Sequence, residues 1–137
     1  IGAGAGMPEE ALPPHVNGQL PISPYTLTTL HEAMFDVTNN GSGTATHQFL
    51  ELPVQVAGKT GTAEDPPRTS HAWFAGYAPA APYTKPDGTL VENPEIAIVV
   101  MIENAGEGSA VAAPIFRRLV ELYYGIQPQR PFPWGGS

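Results

Sequence analysis

The run IAIVVMI at 96–102 constrains the fold most, because a strand made of it is apolar on both sides. Its Ile and Val residues favour an extended backbone, where branched side chains pack on a pleated surface. Successive side chains of a strand point to opposite faces. A strand that is apolar at every position therefore calls for cover on each side, as in a sheet with helices on both faces. As a helix the run would be far too short to cross a bilayer, which takes about 20 residues. The surrounding stretch, PEIAIVVMIE (94–103), is the last of three strand candidates.

The first candidate, VQVAGKTGTAE (54–64), begins β-branched and ends in Gly and Thr. The second, SHAWFAGYAP (70–79), carries His71, Trp73, Phe74 and Tyr77 and is stopped by Pro79. Between the second and third, YTKPDGTL contains Pro-Asp-Gly, a turn signal with a clear physical basis. Short connections favour an antiparallel meander. Ahead of the strands, SPYTLTTLHEAMFDVTNNGSG reads as a helix over about 24–39. Ser23 suits the N-cap, Pro24 the first helical position, and Asn39, Asn40 and Gly41 the end. Leu27, Leu30, Met34 and Val37 make one apolar face. After the strands, GEGSAVAAPIFRRLVELYYG reads as a second helix, with Glu107 and Ser109 at its start, Gly125 at its end and a stripe of Ile115, Leu119, Leu122 and Tyr123.

The expected fold is α/β of the α+β kind, a three-stranded antiparallel sheet flanked by an N-terminal and a C-terminal helix. A length of 137 residues suits one domain. Residues 1–22 are expected to form an extended lead-in, 23–125 the folded part and 126–137 a flexible Pro/Gly tail. Loops must be many, with 15 Gly and 16 Pro. A net charge of −7 argues against a nucleic-acid partner, since phosphate neutralisation needs clustered Lys and Arg. The absence of cysteine excludes disulfides, thiolate chemistry and Cys-containing metal sites. The opening IGAGAGMPEE lacks the basic and apolar regions of a signal peptide, so an export signal or anchor is expected outside this chain.

VAGKTGTAE (56–64) places Lys59, one of two lysines, between glycines and hydroxyls at the end of an apolar run. A phosphate-binding loop would need Gly where Pro53 stands, and Pro has no N–H to offer a phosphate. HEAMF (31–35) has Phe35 where a zinc-protease helix needs its second His. His15, His31, His47 and His71 lack local ligand spacing and read as surface or structural residues, so neither a metal nor a cofactor is expected.

An acyl-transfer site uses the same residues differently. Lys59 supplies positive charge that attracts a substrate carboxylate and biases nearby proton transfer. Thr60 and Thr62 can donate hydrogen bonds to that carboxylate. Gly61 lets an extended substrate lie close against the strand. A backbone N–H near Thr62 could face a developing oxyanion, an effect of roughly 3–4 kcal/mol in known cases. On residues 59–62 alone, a plain strand end with a solvated lysine is the competing account.

The neighbouring segments separate the two. GKTGTAE, then HAWFAGYAP, then EIAIVVMIENAGEGSAVAAPIFR, preceded by MFDVTNNGSGTA, resembles the end of the transpeptidase domain of penicillin-binding proteins, over roughly 22–125. The similarity is strongest to class B members of high molecular mass that serve cell elongation. The resemblance implies a fragment of the β-lactamase/transpeptidase-like fold and a serine acyl-transferase that cross-links peptidoglycan stem peptides ending in D-Ala-D-Ala, the target of β-lactams. Three motifs surround such a cleft: Ser-x-x-Lys, Ser-x-Asn and Lys-Thr-Gly. Lys59, Thr60 and Gly61 match the third, and Thr62 the following position, whose backbone N–H helps form the oxyanion hole.

The other two motifs are absent from these residues. Val56 and Pro82 stand three places before Lys59 and Lys85, and no serine has Asn two places on. In the family both motifs, and two further strands, come from upstream. The resemblance therefore implies that this chain supplies the Lys-Thr-Gly wall without the nucleophile, and is inactive alone. The rest of the domain is the expected partner, and self-association is expected through the bare edge of strand 95–102. It also implies a parent protein anchored in the membrane and working on its extracytoplasmic face. Trp73, Phe74 and Tyr77 are expected in the core rather than at substrate. Glu64 and Asp65 are expected in a solvated turn. The alternatives are a non-catalytic binding module that keeps the scaffold, and a complete small protein that binds peptides by strand addition.

Overall fold

The computed structural model describes residues 15–135, so the first fourteen positions of the expected lead-in and the last two of the tail lie outside it. Helix α1 runs Pro24–Asn39, α2 Thr46–Phe49, strand β1 Ala57–Asp65, β2 Arg68–Ala78, β3 Tyr83–Thr84, β4 Leu90–Val91, β5 Ile96–Ile102 and helix α3 Ala112–Tyr123. The main sheet has the order β1-β2-β5, antiparallel throughout. β3 and β4 form a separate hairpin around the Pro-Asp-Gly turn, where the Asp87 carboxylate accepts the Thr89 N–H at 2.9 Å.

Phe74 of β2 heads the core. Its ring packs on Phe116 of α3, centroids 4.7 Å apart, and on Phe49 of α2 at 5.5 Å. Val54, Val56, Ala72, Val100, Ala113 and Val120 close around them. All of this lies on one face of the sheet. The other face carries Trp73, Ala75 and Tyr77 of β2, beside Lys59 and Gly61 of β1 and Val99 and Met101 of β5. Here α1 reaches only one end, where the His31 ring meets Tyr77 edge-on at 5.7 Å. Trp73, Val99 and Met101 remain 38%, 65% and 40% exposed.

Two expectations thus change. Helices lie on both sides, but the second face is open over most of its width among the described residues. Core packing holds for Phe74, buried completely, whereas Tyr77 is half-buried and Trp73 exposed, because the side chains alternate.

The helices revise the sequence reading as well. α1 begins with the Ser23 hydroxyl accepting the Thr26 N–H at 3.1 Å. Its far end is held where Val56 O accepts from Thr38 Oγ1 at 2.6 Å and from Asn39 Nδ2 at 2.8 Å. α3 buries Ala113, Phe116, Arg117, Val120 and Glu121, while Leu119, Leu122 and Tyr123 of the expected stripe face outward. The phase shifts because Arg117 and Glu121 neutralise one another inside, at 2.8 Å, and Arg117 Nη1 also donates to Gln48 O and Leu50 O. A buried pair neutralised in this way can occupy a core position that its charge alone argues against, even with Arg117 Nη2 left without a hydrogen-bond partner. Residues 126–135 have no regular structure, but Arg118 Nη2 donates to Arg130 O, and Arg130 Nη1 to His47 O.

Candidate functional site

Strand β1 forms one edge of the main sheet, so it has a ladder partner on one side only. Alternate residues of an edge strand turn their N–H and C=O groups outward, where an extended ligand can pair with them. Lys59, Thr60, Gly61 and Thr62 lie in the middle of this strand, opposite Ala75, Phe74, Trp73 and Ala72. Side chains alternate along it, so Lys59 and Gly61 share the open face, and Thr60 and Thr62 point to the α3 side. Lys59 and Thr62 are exposed; Thr60 and Gly61 are half-buried.

Lys59 Nζ donates to the Thr60 carbonyl at 2.6 Å and lies 3.4 Å from Thr60 Oγ1. The ammonium thus stays on the rim of the sheet, with no carboxylate in contact with it among the described residues. Thr60 Oγ1 lies 3.2 Å from Thr44 Oγ1, in the segment linking α1 to α2. The pair of hydroxyls can act as mutual donor and acceptor and still serve a third group. Thr44 was not legible as part of this cluster, because nothing in spacing relates positions sixteen apart across a helix end and a strand.

The far end of the β1–β2 hairpin is tied together separately. Asp65 pairs with Arg68 at 2.9 Å, and His71 Nδ1 accepts the backbone N–H of Asn104 at 3.0 Å. Glu64 and Asp65 lie in β1 rather than in a turn; Glu64 is exposed as expected, whereas Asp65 is half-buried in this cluster. A groove of about 480 Å³ lies elsewhere, between α1 and the sheet, lined among others by His31, Phe35, Tyr77 and Pro94. None of Lys59–Thr62 lines it.

The described residues thus place Lys-Thr-Gly-Thr on an edge strand of an antiparallel sheet, with the last helix packed on one of its faces. The penicillin binding protein transpeptidase domain matches residues 6–121. The chain belongs to this family. Within it the chain is similar to peptidoglycan D,D-transpeptidase MrdA of Haemophilus influenzae, 33% identical over 105 residues, which cover 66% of this chain and 14% of that protein. It is similar also to peptidoglycan D,D-transpeptidase PbpA of Mycobacterium tuberculosis, 36% identical over 117 residues, or 78% of this chain and 21% of that protein.

Solved structures agree. Pseudomonas aeruginosa PBP2 in complex with WCK 5153 matches with a TM-score of 0.55 and 36% identity over 66% of this chain and 17% of that one. Penicillin-binding protein A of M. tuberculosis, an imipenem acyl-enzyme complex, matches at 0.53 and 32% identity over 77% of this chain and 20% of that one. The chain thus spans about a fifth or less of each of these proteins. It is a fragment of the PBP2-type transpeptidase domain.

Proposed function

We propose that this chain is the Lys-Thr-Gly side of a cleft in which a longer protein cross-links peptidoglycan as a D,D-transpeptidase. The observation that carries the reading is the placement of Lys59, Thr60, Gly61 and Thr62 on an edge strand, backed by the family's fold. Stem peptides ending in D-Ala-D-Ala are the substrates, and β-lactams, such as the imipenem that acylates the M. tuberculosis relative, take their place.

The chemistry divides among the four residues. The Lys59 ammonium draws the terminal carboxylate of the donor peptide toward β1, and Thr60 and Thr62 hydroxyls donate to it. Without a side chain at 61, the peptide backbone approaches the strand and pairs with it. The Thr62 N–H then faces the oxygen that becomes negative when a serine hydroxyl adds to the D-Ala-D-Ala carbonyl. That serine, and the groups that take and return its proton, come from Ser-x-x-Lys and Ser-x-Asn motifs outside these residues. D-Ala leaves, the acyl group rests on the serine, and an amine of a neighbouring stem peptide takes it up.

The remainder of the domain covers the open face of the sheet and pairs along β5; without it, β5 offers that edge to a second copy of the chain. The reaction takes place on the extracytoplasmic side of the membrane. No helix among the described residues is long and apolar enough to cross one.

Incubation with a β-lactam followed by intact-mass analysis tests the reading. The longer protein gains one covalent adduct, and Lys59→Ala slows its formation by about a hundredfold or more. The 137-residue chain gains none. An adduct on the isolated chain, or a longer protein that never acylates, ends the proposal.

A further inference from the structure

Between β5 and α3, the chain turns back across the sheet, and Gly108 is the point where it meets the candidate site strand. Gly108 is buried. A methyl group on it would fall 2.5 Å from Gly61 O, 3.0 Å from Gly61 N and closer still to Trp73 O. Its φ lies outside the left-handed range, so the demand for glycine here is one of space. Gly125, after α3, shows the opposite demand, with φ +65° and nothing within 4 Å.

We infer that Gly108 is a positioning residue for the Lys59–Thr62 strand. Its bare backbone rests directly on the Gly61–Trp73 rung and holds the free edge in place. The inference rests on the acyl-transfer reading proposed above.

The need for such a support follows from the topology. β1 has a ladder on one side, and its register with β2 slips between Ala63 and Asp65, immediately beyond the site residues. Toward the other end, Thr60 is steadied by Thr44. Gly61 and Thr62, the residues asked to hold a substrate backbone and an oxyanion, lie between these two points.

The loop that bears on them is itself fastened at both ends. On the sheet side, Asn104 N–H donates to His71 Nδ1 at 3.0 Å and Gly106 N–H to Ser70 O at 2.9 Å. On the helix side, Gly108 O accepts from Ala113 N–H at 2.9 Å and Glu107 O from Val111 N–H at 3.1 Å. α3 in turn is locked by Phe116 against Phe74. The loop is thus a short bridge from the β2 backbone to a helix, with the site strand beneath it. Oxyanion donors act by being fixed before charge develops, so small displacements of Thr62 fall on the chemical step more than on binding.

Acylation of the longer protein by a fluorescent penicillin tests this in wild type, Gly108→Ala, Val120→Ala and Gly125→Ala. The acylation step and the prior binding constant are read separately, below the melting temperature of each variant. Gly108→Ala lowers the acylation step tenfold or more with binding changed less than threefold. The two control variants stay within threefold of wild type. A glycine inserted between Gly106 and Glu107 lengthens the bridge without adding bulk and produces the same loss, so the test survives poor folding of Gly108→Ala.

Wild-type acylation in both loop variants overturns the inference and leaves the proposed function standing. If the wild type itself is not acylated, the proposed function fails instead. Amide shifts of Gly61 and Thr62 in the 137-residue chain then decide the positioning alone. They move in Gly108→Ala and not in Gly125→Ala, and unmoved shifts overturn the inference.

Discussion

The two faces of the β1-β2-β5 sheet are built from the same strands yet have opposite surroundings. On one, Phe74 lies under Phe116 and Phe49, and Ala72 and Val100 are enclosed with it. On the other, one residue further along each strand, Trp73, Val99 and Met101 face outward, and only the Tyr77 end meets α1. The lesson concerns the run 96–102. Its composition demands two covered faces, while the described residues cover one fully and the other only at the Tyr77 end. The chain spans about a fifth of its relatives, and the remainder of the domain is proposed above to supply the missing cover.

Mutations can break this comparison or sharpen it. The largest loss is expected from Phe74→Ala, which empties the centre of the closed face and costs about 3–5 kcal/mol in urea unfolding of this chain. Glu121→Ala follows closely, at about 3–5 kcal/mol, because it leaves Arg117 charged and unpaired beneath α2 and α3. Glu121→Gln, which keeps an acceptor, costs less. A loss below about 1 kcal/mol for Phe74→Ala would mean that the closed face is not the core.

Thr38→Val removes one of two donors to Val56 O and costs about 1 kcal/mol, since Asn39 Nδ2 still serves that carbonyl. On the open face, Val99→Ala stays within about 0.5 kcal/mol in this chain. In the longer protein, where the rest of the domain is proposed to cover it, the same change costs at least about 1 kcal/mol. Equal effects in the two settings would erase the distinction between the faces.

The smallest effect concerns the β3–β4 hairpin. Hydrogen bonds from the Thr89 backbone and side chain hold the Asp87 carboxyl below its usual range. A carboxyl lowered on folding stabilises above its unfolded value and loses that contribution as pH falls through the folded one. The protection of the Thr89 amide, measured after correction for the intrinsic pH dependence of exchange, is therefore expected to fall on acidification from about pH 5 to about pH 2, and Asp87→Asn abolishes that fall.

Much of this arrangement could be read from residues. The bounds of α1 follow from Ser23, Pro24 and the Asn-Asn-Gly stop, and the three strands from their β-branched and aromatic runs. Four residues of the candidate site were legible because they are contiguous. What escaped is non-local or self-cancelling. Thr44 and Gly108 join the site by folding, with no periodic signal to announce them. Arg117 and Glu121 look like a solvated face until their mutual contact is known, and the phase of α3 shifts with them. The open face could not be foreseen, since a strand does not state which neighbours its own chain provides.

Helix α1 is fastened at one end. Thr38 and Asn39 tie its last turn to Val56, whereas Leu27 and Leu30, about three and two turns earlier, are 43% and 50% exposed. Helices this short hold together poorly in water without lateral packing. The element therefore behaves as a cantilever. Amide protection should climb steadily from Ser23 toward Thr38, and the outboard turns should unwind and reform many times for each opening of the sheet.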